Sequence, residues 1–169
     1  MTVAELLRDL FDRVASDVHG AVEDLDLDAL THRVGGTANS ISWLVWHLTR
    51  VQDDHVAEVA GTEQVWTADG WAERFALPFD DGAIGYGQGS DEVAAVRADA
   101  DLLLGYHDAV YERTVAYLRT LGEDDLDRVI DENWDPPVTA GVRLISVVDD
   151  DIQHAGQAAY VAGLARRRR

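Results

Sequence analysis

Apolar side chains recur every three to four residues through four stretches of this chain, and no period-two alternation of useful length interrupts them. Thr2 and Glu5 form a T-x-x-E capping box. Val3, Leu6, Leu7, Leu10, Phe11, Val14, Val18 and Val22 then follow at helical spacing, which predicts the first helix. Residues 26–33 read as a short helical turn, stopped by Gly35 and Gly36, whose backbones accept angles that other residues resist. Polar residues 37–40 lead into a second helix. Its inward stripe is Leu44, His47, Leu48, Val51, His55 and Val59, and Gly61 is a natural stop. Ser90 reads as the N-cap of a third helix over residues 90–121, with Asp91 and Glu92 in the first turn, where negative charge suits the helix dipole. Its inward face runs from Val93 and Val96 through Leu103, His107 and Val110 to Thr114 and Tyr117. Residues 122–135 are acidic and turn-like, and Pro136 and Pro137 close them before a fourth helix over 138–164.

The pattern predicts an all-α, four-helix bundle as one domain over residues 1–169. Between the second and third helices the periodicity fails for nearly 30 residues, where Trp66, Trp71, Phe75, Phe79 and Tyr86 stand among Gly, Asp and Pro78. Loops this long are uncommon in compact domains. Two readings stay open: an irregular flap that plugs one end of the bundle, or a pocket wall or lid.

Composition narrows the partners. The net charge is −18, from 32 acids against 14 basic residues, all of them Arg. A phosphate backbone is held by clustered Lys and Arg, so nucleic acid is excluded. The basic run at 166–169 reads as a cationic end that complements the dipole of the final helix. Residues 1–10 lack the basic and apolar regions of a signal peptide, and no apolar run reaches the ~18 residues of a membrane span, so a cytoplasmic protein without membrane contact is expected. The use of Arg in place of Lys, with abundant Ala, Val, Gly and Asp, points to a GC-rich coding bias of the kind found in actinobacteria. Cysteine is absent, so any thiol chemistry must use an external thiol.

The chemistry concentrates on the fourth helix. Asp150 and His154 are four residues apart, which places them about 40° apart around the axis, on the side of Val147, Ala158 and Val161. A carboxylate and an imidazole turned into aliphatic surroundings are costly unless compensated, and a divalent cation is one compensation. His47 faces the same core from the second helix. The three together offer N/O ligands from two helices with a coordination position left open, a set that suits zinc, nickel or ferrous iron alike. Asp151, three residues before His154, is an alternative to Asp150 as ligand, or an acceptor for a ligand imidazole. His55 lies about 12 Å along the helix from His47 and cannot share its ion. His107 competes as a ligand or is a core histidine satisfied by a nearby acid; His19 and His32, near segment ends, read as exposed or capping residues.

Residues 39–48 (NSISWLVWHL), continuing through Arg50, Val51, Asp53 and Asp54, resemble the second-helix signature of the DinB-like superfamily, and residues 150–157 (DDIQHAGQ) resemble its fourth-helix signature. The branch most similar is the mycothiol-dependent group of maleylpyruvate isomerase and thiol S-transferases. The resemblance implies a divalent metal, usually zinc, held by His47, Asp150 and His154; Asp150 stands where many members carry His and the isomerase branch carries Glu. The chain ends at Arg169 without the isomerase's additional C-terminal domain, so a transferase-like reaction is expected in preference to that isomerisation. The implied co-substrates are a mycothiol-like thiol and a small electrophile, with the aromatic loop receiving the electrophile and Asp54 contacting the polar part of the thiol. The rival readings are a non-catalytic metal- or ligand-binding bundle linked to stress and a metal-dependent hydrolase that activates water. Bundles of this kind often pair through helix surfaces, so a homodimer is compatible with the pattern.

Overall fold

The capping box at Thr2 and Glu5 forms as written: Thr2 Oγ1 accepts from the Glu5 amide at 3.1 Å and Glu5 Oε2 accepts from the Thr2 amide at 2.8 Å. It starts α1 (Val3–Val22) in this computed structural model, which describes residues 1–167. Leu7, Phe11, Val14, Val18 and Val22 are buried, whereas Val3 and Leu6 from the predicted stripe are exposed. Leu6 sits a 100° step off the buried line, and Val3 stands at the open helix end. After α2 (Leu27–Thr31), capped by Asp26, a 3-10 turn at Val34–Gly36 uses Gly35 at φ 66° to turn the chain toward α3 (Ile41–Ala60).

α3 is the spine of the molecule. Ser40 caps it and Gly61, at φ 67°, ends it. Residues 41–53 are all buried, polar ones included, which a helix on the outside of a bundle would not be. The cause is the segment after Gly61, which folds back over the outer side of α3. Asp53 accepts from the Val65 and Trp66 amides at 2.8 Å each and from Tyr106 Oη at 2.8 Å. Arg50, fully buried, donates to the carbonyls of Asp81 and Ala83 and to Gln64 Oε1, and its guanidinium lies 4.8 Å from the Trp66 ring. These bonds satisfy two charged groups that burial would otherwise penalise.

The predicted loop therefore contains two short helices, α4 (Val65–Ala68) and α5 (Trp71–Phe75), whose Trp66 and Phe75 pack on Tyr106; its remainder is irregular. The predicted third helix is broken into α6 (Ser90–Ala95) and α7 (Ala100–Leu118). Asp99 offers a competing N-cap, accepting from the Leu102 amide at 2.9 Å, while Ser42 Oγ occupies the Ala98 carbonyl at 3.0 Å. Gly89, not Ser90, is the cap residue of α6, because the Glu92 carboxylate reaches back to the Gly89 amide at 2.8 Å.

Residues 122–135 also hold more structure than the turn-like reading allowed: a 3-10 turn at Asp124–Asp127, then β1 (Val129–Asp131), which pairs antiparallel with β2 (Val138–Thr139). Val138 and Thr139 thus belong to a hairpin, and α8 (Ala140–Arg166) begins after the Thr139 cap. α1, α3, α7 and α8 form the four-helix bundle, with α8 between α3 and α1. Arg166, in the last turn of α8, also donates to the Gly20 and Glu23 carbonyls at 2.9 and 3.0 Å, so its charge complements the C-terminal ends of both α8 and α1. Arg168 and Arg169 of the basic run lie outside the described residues.

Candidate metal centre

His47 is 2% exposed on the face of α3 turned to α8. Its Nδ1 donates to the Ile84 carbonyl, 2.5 Å away. Position 85 must be glycine for this contact to exist, because a Cβ there would overlap His47 Nδ1 and the backbone holds φ +106°. Trp43, one turn earlier, stacks on the imidazole at 4.6 Å with its indole N–H fixed by Gln88 Oε1 at 2.7 Å, and Tyr86 meets the ring edge-on at 5.3 Å. The loop that the Arg50 guanidinium fastens to α3 therefore fixes the rotation of His47 and leaves Nε2 as its free nitrogen.

Asp150 and His154 face the same space from α8, as the i, i+4 spacing requires. His154 Nδ1 donates to Gln157 Oε1 at 3.1 Å, again freeing Nε2, which lies 3.7 Å from Asp150 Oδ1. The two imidazole rings meet at 4.8 Å between centroids. One ligand atom from each of His47, Asp150 and His154 lies within 4.8 Å of the others, close to the roughly 4 Å that two ligands on one ion can span with bonds near 2 Å. Asp150 Oδ2 is buried without a hydrogen-bond partner among the described residues. An orphaned carboxylate oxygen beside two oriented imidazole nitrogens fits a divalent cation. Burial lowers the His47 pKa; the Ile84 carbonyl and Asp150 oppose that shift and His154 adds to it, so the neutral, metal-binding form prevails at pH 7.

Other residues considered from sequence fall elsewhere. Asp151 is fully buried with both carboxylate oxygens unpartnered among the described residues, and it stays outside the triad because one residue of helix turns it by 100°. Burial, then the neighbouring Asp150 charge, raise its pKa well above the carboxylate range. Asp54 accepts from Gln64 Nε2 at 2.7 Å and stands 3.3 Å from His55 Nδ1. His107 is buried, and neither ring nitrogen has a partner among the described residues, so the expected acid does not satisfy it. His19 is neither simply exposed nor a cap: it bridges α1 and α7 through Asp108 at 2.8 Å, with Glu23 at 3.1 Å, and Asp108 raises its pKa. His32 closes α2.

Sequence reasoning missed Ile84, Gly85 and Gln157, which orient the two imidazoles. A faint signal existed in the glycines at 82, 85 and 87 inside the aromatic loop, and in the i, i+3 spacing of Gln157 after His154. It also missed the β1–β2 hairpin, whose Trp134 and Val138 wall a cleft of about 320 Å³ one turn below the triad, along with Val51, His55, Tyr86 and Arg143.

No described helix is long and apolar enough to cross a membrane. No match is found among curated proteins. A solved crystal structure described as a conserved protein from Enterococcus faecalis is similar to this chain, with 32% sequence identity, a TM-score of 0.90 and 98% of each chain covered. The sequence profile described as the DinB superfamily matches residues 10–158. Metal binding is common in that superfamily, and the His47, Asp150 and His154 cluster on α3 and α8 is a place where this chain can hold a metal. The chain belongs to the DinB superfamily.

Proposed function

We propose that this chain is a cytoplasmic, metal-dependent transferase that joins a low-molecular-weight thiol of the mycothiol type to a small electrophile. The observation that carries the reading is the paired orientation of the two imidazoles: Ile84 and Gln157 occupy both Nδ1 atoms, so both Nε2 atoms are free beside the orphaned Asp150 oxygen. His47, Asp150 and His154 would hold the cation, with zinc the first choice for two nitrogens and one carboxylate. When bound, such an ion lowers the pKa of a thiol placed next to it, so that a thiolate is available at neutral pH. The chain contributes no thiol of its own, since it contains no cysteine.

The remaining residues shape access. Trp43 and Tyr86 shield the His47 ring from water on two sides, and the cleft below the triad gives an apolar body a place beside it. Asp54 spends one oxygen on Gln64 and keeps the other able to accept from the polar part of the thiol, so Asp54→Ala is expected to weaken thiol affinity by a few-fold; unchanged affinity removes it from the thiol site.

The test is conjugation of monochlorobimane by mycothiol, followed by fluorescence with zinc-loaded protein. Wild type is expected to accelerate adduct formation and His47→Ala to abolish the acceleration. Zinc bound without any acceleration supports a binding bundle instead, and thiol-independent ester hydrolysis supports a hydrolase.

A further inference from the structure

The cleft below the triad has a polar end that the proposed chemistry does not yet use. Val51, Val142 and the exposed rings of Tyr86 and Trp134 line it, and His55 and Arg143, each about two helical turns from the nearest metal ligand on its own helix, supply its polar groups. The cleft is continuous with the triad in sequence and space: Val51 is one turn past His47, Ser146 one turn before Asp150, and Tyr86 touches the His47 ring.

His55 is oriented as a donor. Two groups approach His55 Nδ1: Arg143 Nη1 at 3.1 Å in hydrogen-bond geometry, and Asp54 Oδ2 at 3.3 Å without it; a guanidinium cannot accept, so Nδ1 is the acceptor. The proton of the neutral ring then sits on Nε2. That nitrogen has no hydrogen-bond partner among the described residues and is not among the buried unpartnered atoms, so it is accessible, and His55 lines the cleft. Burial, then the Arg143 charge, lower the His55 pKa and keep the ring neutral.

Charge decides which acceptor belongs there. Arg143 is already flanked by Glu58 at 3.5 Å and Asp131 at 3.6 Å, and His55 also feels Asp54 and Asp150. With Asp150 taken up by the cation, one guanidinium still stands against the three carboxylates of Glu58, Asp131 and Asp54, so an anion is disfavoured whereas a neutral carbonyl oxygen accepts from Nε2 without that cost.

We infer that this cleft binds a neutral aromatic or conjugated carbonyl compound, its ring between Tyr86 and Trp134 and its oxygen on His55 Nε2. The inference rests on the transferase reading only in calling that compound the electrophile. The roughly 12 Å of helix between His55 and His47 leaves room for about two fused rings between the carbonyl and the reacting end.

The test uses three unreactive probes of one shape: acetophenone, benzoate and ethylbenzene, titrated against full-length protein while the Trp134 indole N–H is followed by NMR. Acetophenone is expected to bind about tenfold tighter than either benzoate or ethylbenzene. His55→Phe, which keeps a ring but no donor, should erase the gap between acetophenone and ethylbenzene. Tyr86→Ala, at an exposed position, should weaken both alike. Benzoate binding as tightly as acetophenone overturns the inference, as does a gap that survives His55→Phe. The titration is repeated on His47→Ala, where the preferences should persist. The tenfold preference without bimane conjugation sinks only the transferase reading, and conjugation without the preference sinks only the cleft assignment.

Discussion

His47 and His107 sit on the inward faces of neighbouring bundle helices, 2% and 1% exposed, and burial lowers the pKa of both. Around His47, Ile84 takes one nitrogen while His154 and Asp150 converge near the other. Around His107, neither nitrogen has a partner among the described residues, and the pKa falls to about 4. Burying an imidazole is therefore a cost in both places, and only convergence of a loop and a second helix makes one of them a candidate ligand. The segment 61–89 makes the difference, because it passes over α3 at His47 and is fastened there by Arg50 and Asp53.

The sharpest way to break the comparison is to exchange fates. His47→Ala and His154→Ala should each reduce bound zinc, measured by mass spectrometry of purified protein, from about one per chain to under about a tenth. His107→Leu should leave it unchanged. Zinc retained by His47→Ala, or lost in His107→Leu, would reverse the assignment of the two histidines.

Next in size is a pH effect at His107. Its folded pKa of about 4 is below the ordinary 6.5, so the folded state refuses a proton that the unfolded chain accepts. The contribution of neutral His107 is therefore complete above pH 6.5 and is lost as pH falls from 6.5 to about 4, amounting to roughly 3 kcal/mol at the bottom of that window. Urea unfolding of wild type against His107→Leu at pH 7 and pH 4.5 should show the wild type losing about 2 kcal/mol more than the variant. Equal losses would mean that His107 has a proton acceptor after all.

Gly85→Ala tests whether the loop sets the His47 geometry. The added Cβ collides with the imidazole and the φ of +106° strains any other residue, so zinc affinity should fall by about 10–100-fold in competition with a fluorescent chelator, with helical circular dichroism retained. The smallest effect is expected at Gln157→Leu, which frees His154 Nδ1 and should cost about tenfold in the same assay. If Gly85→Ala binds zinc normally, the loop is only a cover.

Much of the bundle was legible in the chain because helical periodicity and caps are local. The Thr2 box and the Gly61 stop each involve neighbours within three or four residues, and each forms as read. The break at 96–99 was not legible. Val93 and Val96 up to the break and Ala100, Leu103, His107 and Val110 after it keep one helical period, while the Ser42 bond that occupies the Ala98 carbonyl comes from 56 residues away. The hairpin was hidden for a related reason: two- and three-residue strands are too short to show alternation.

The sequence by itself determined that His154 and Asp150 share a face of one helix, that His47 looks inward from another, and that no cysteine competes for their chemistry. These follow from helix geometry and composition, which need no knowledge of where distant segments lie. Only the tertiary structure decided that Asp150 rather than Asp151 stands with the two histidines, that Ile84 chooses the free nitrogen of His47, and that His55 and Arg143 meet across α3 and α8. Which nitrogen is free depends on where an acceptor sits to within a few tenths of an ångström, and that position is set by the packing of separate elements, a property no single stretch of the chain contains.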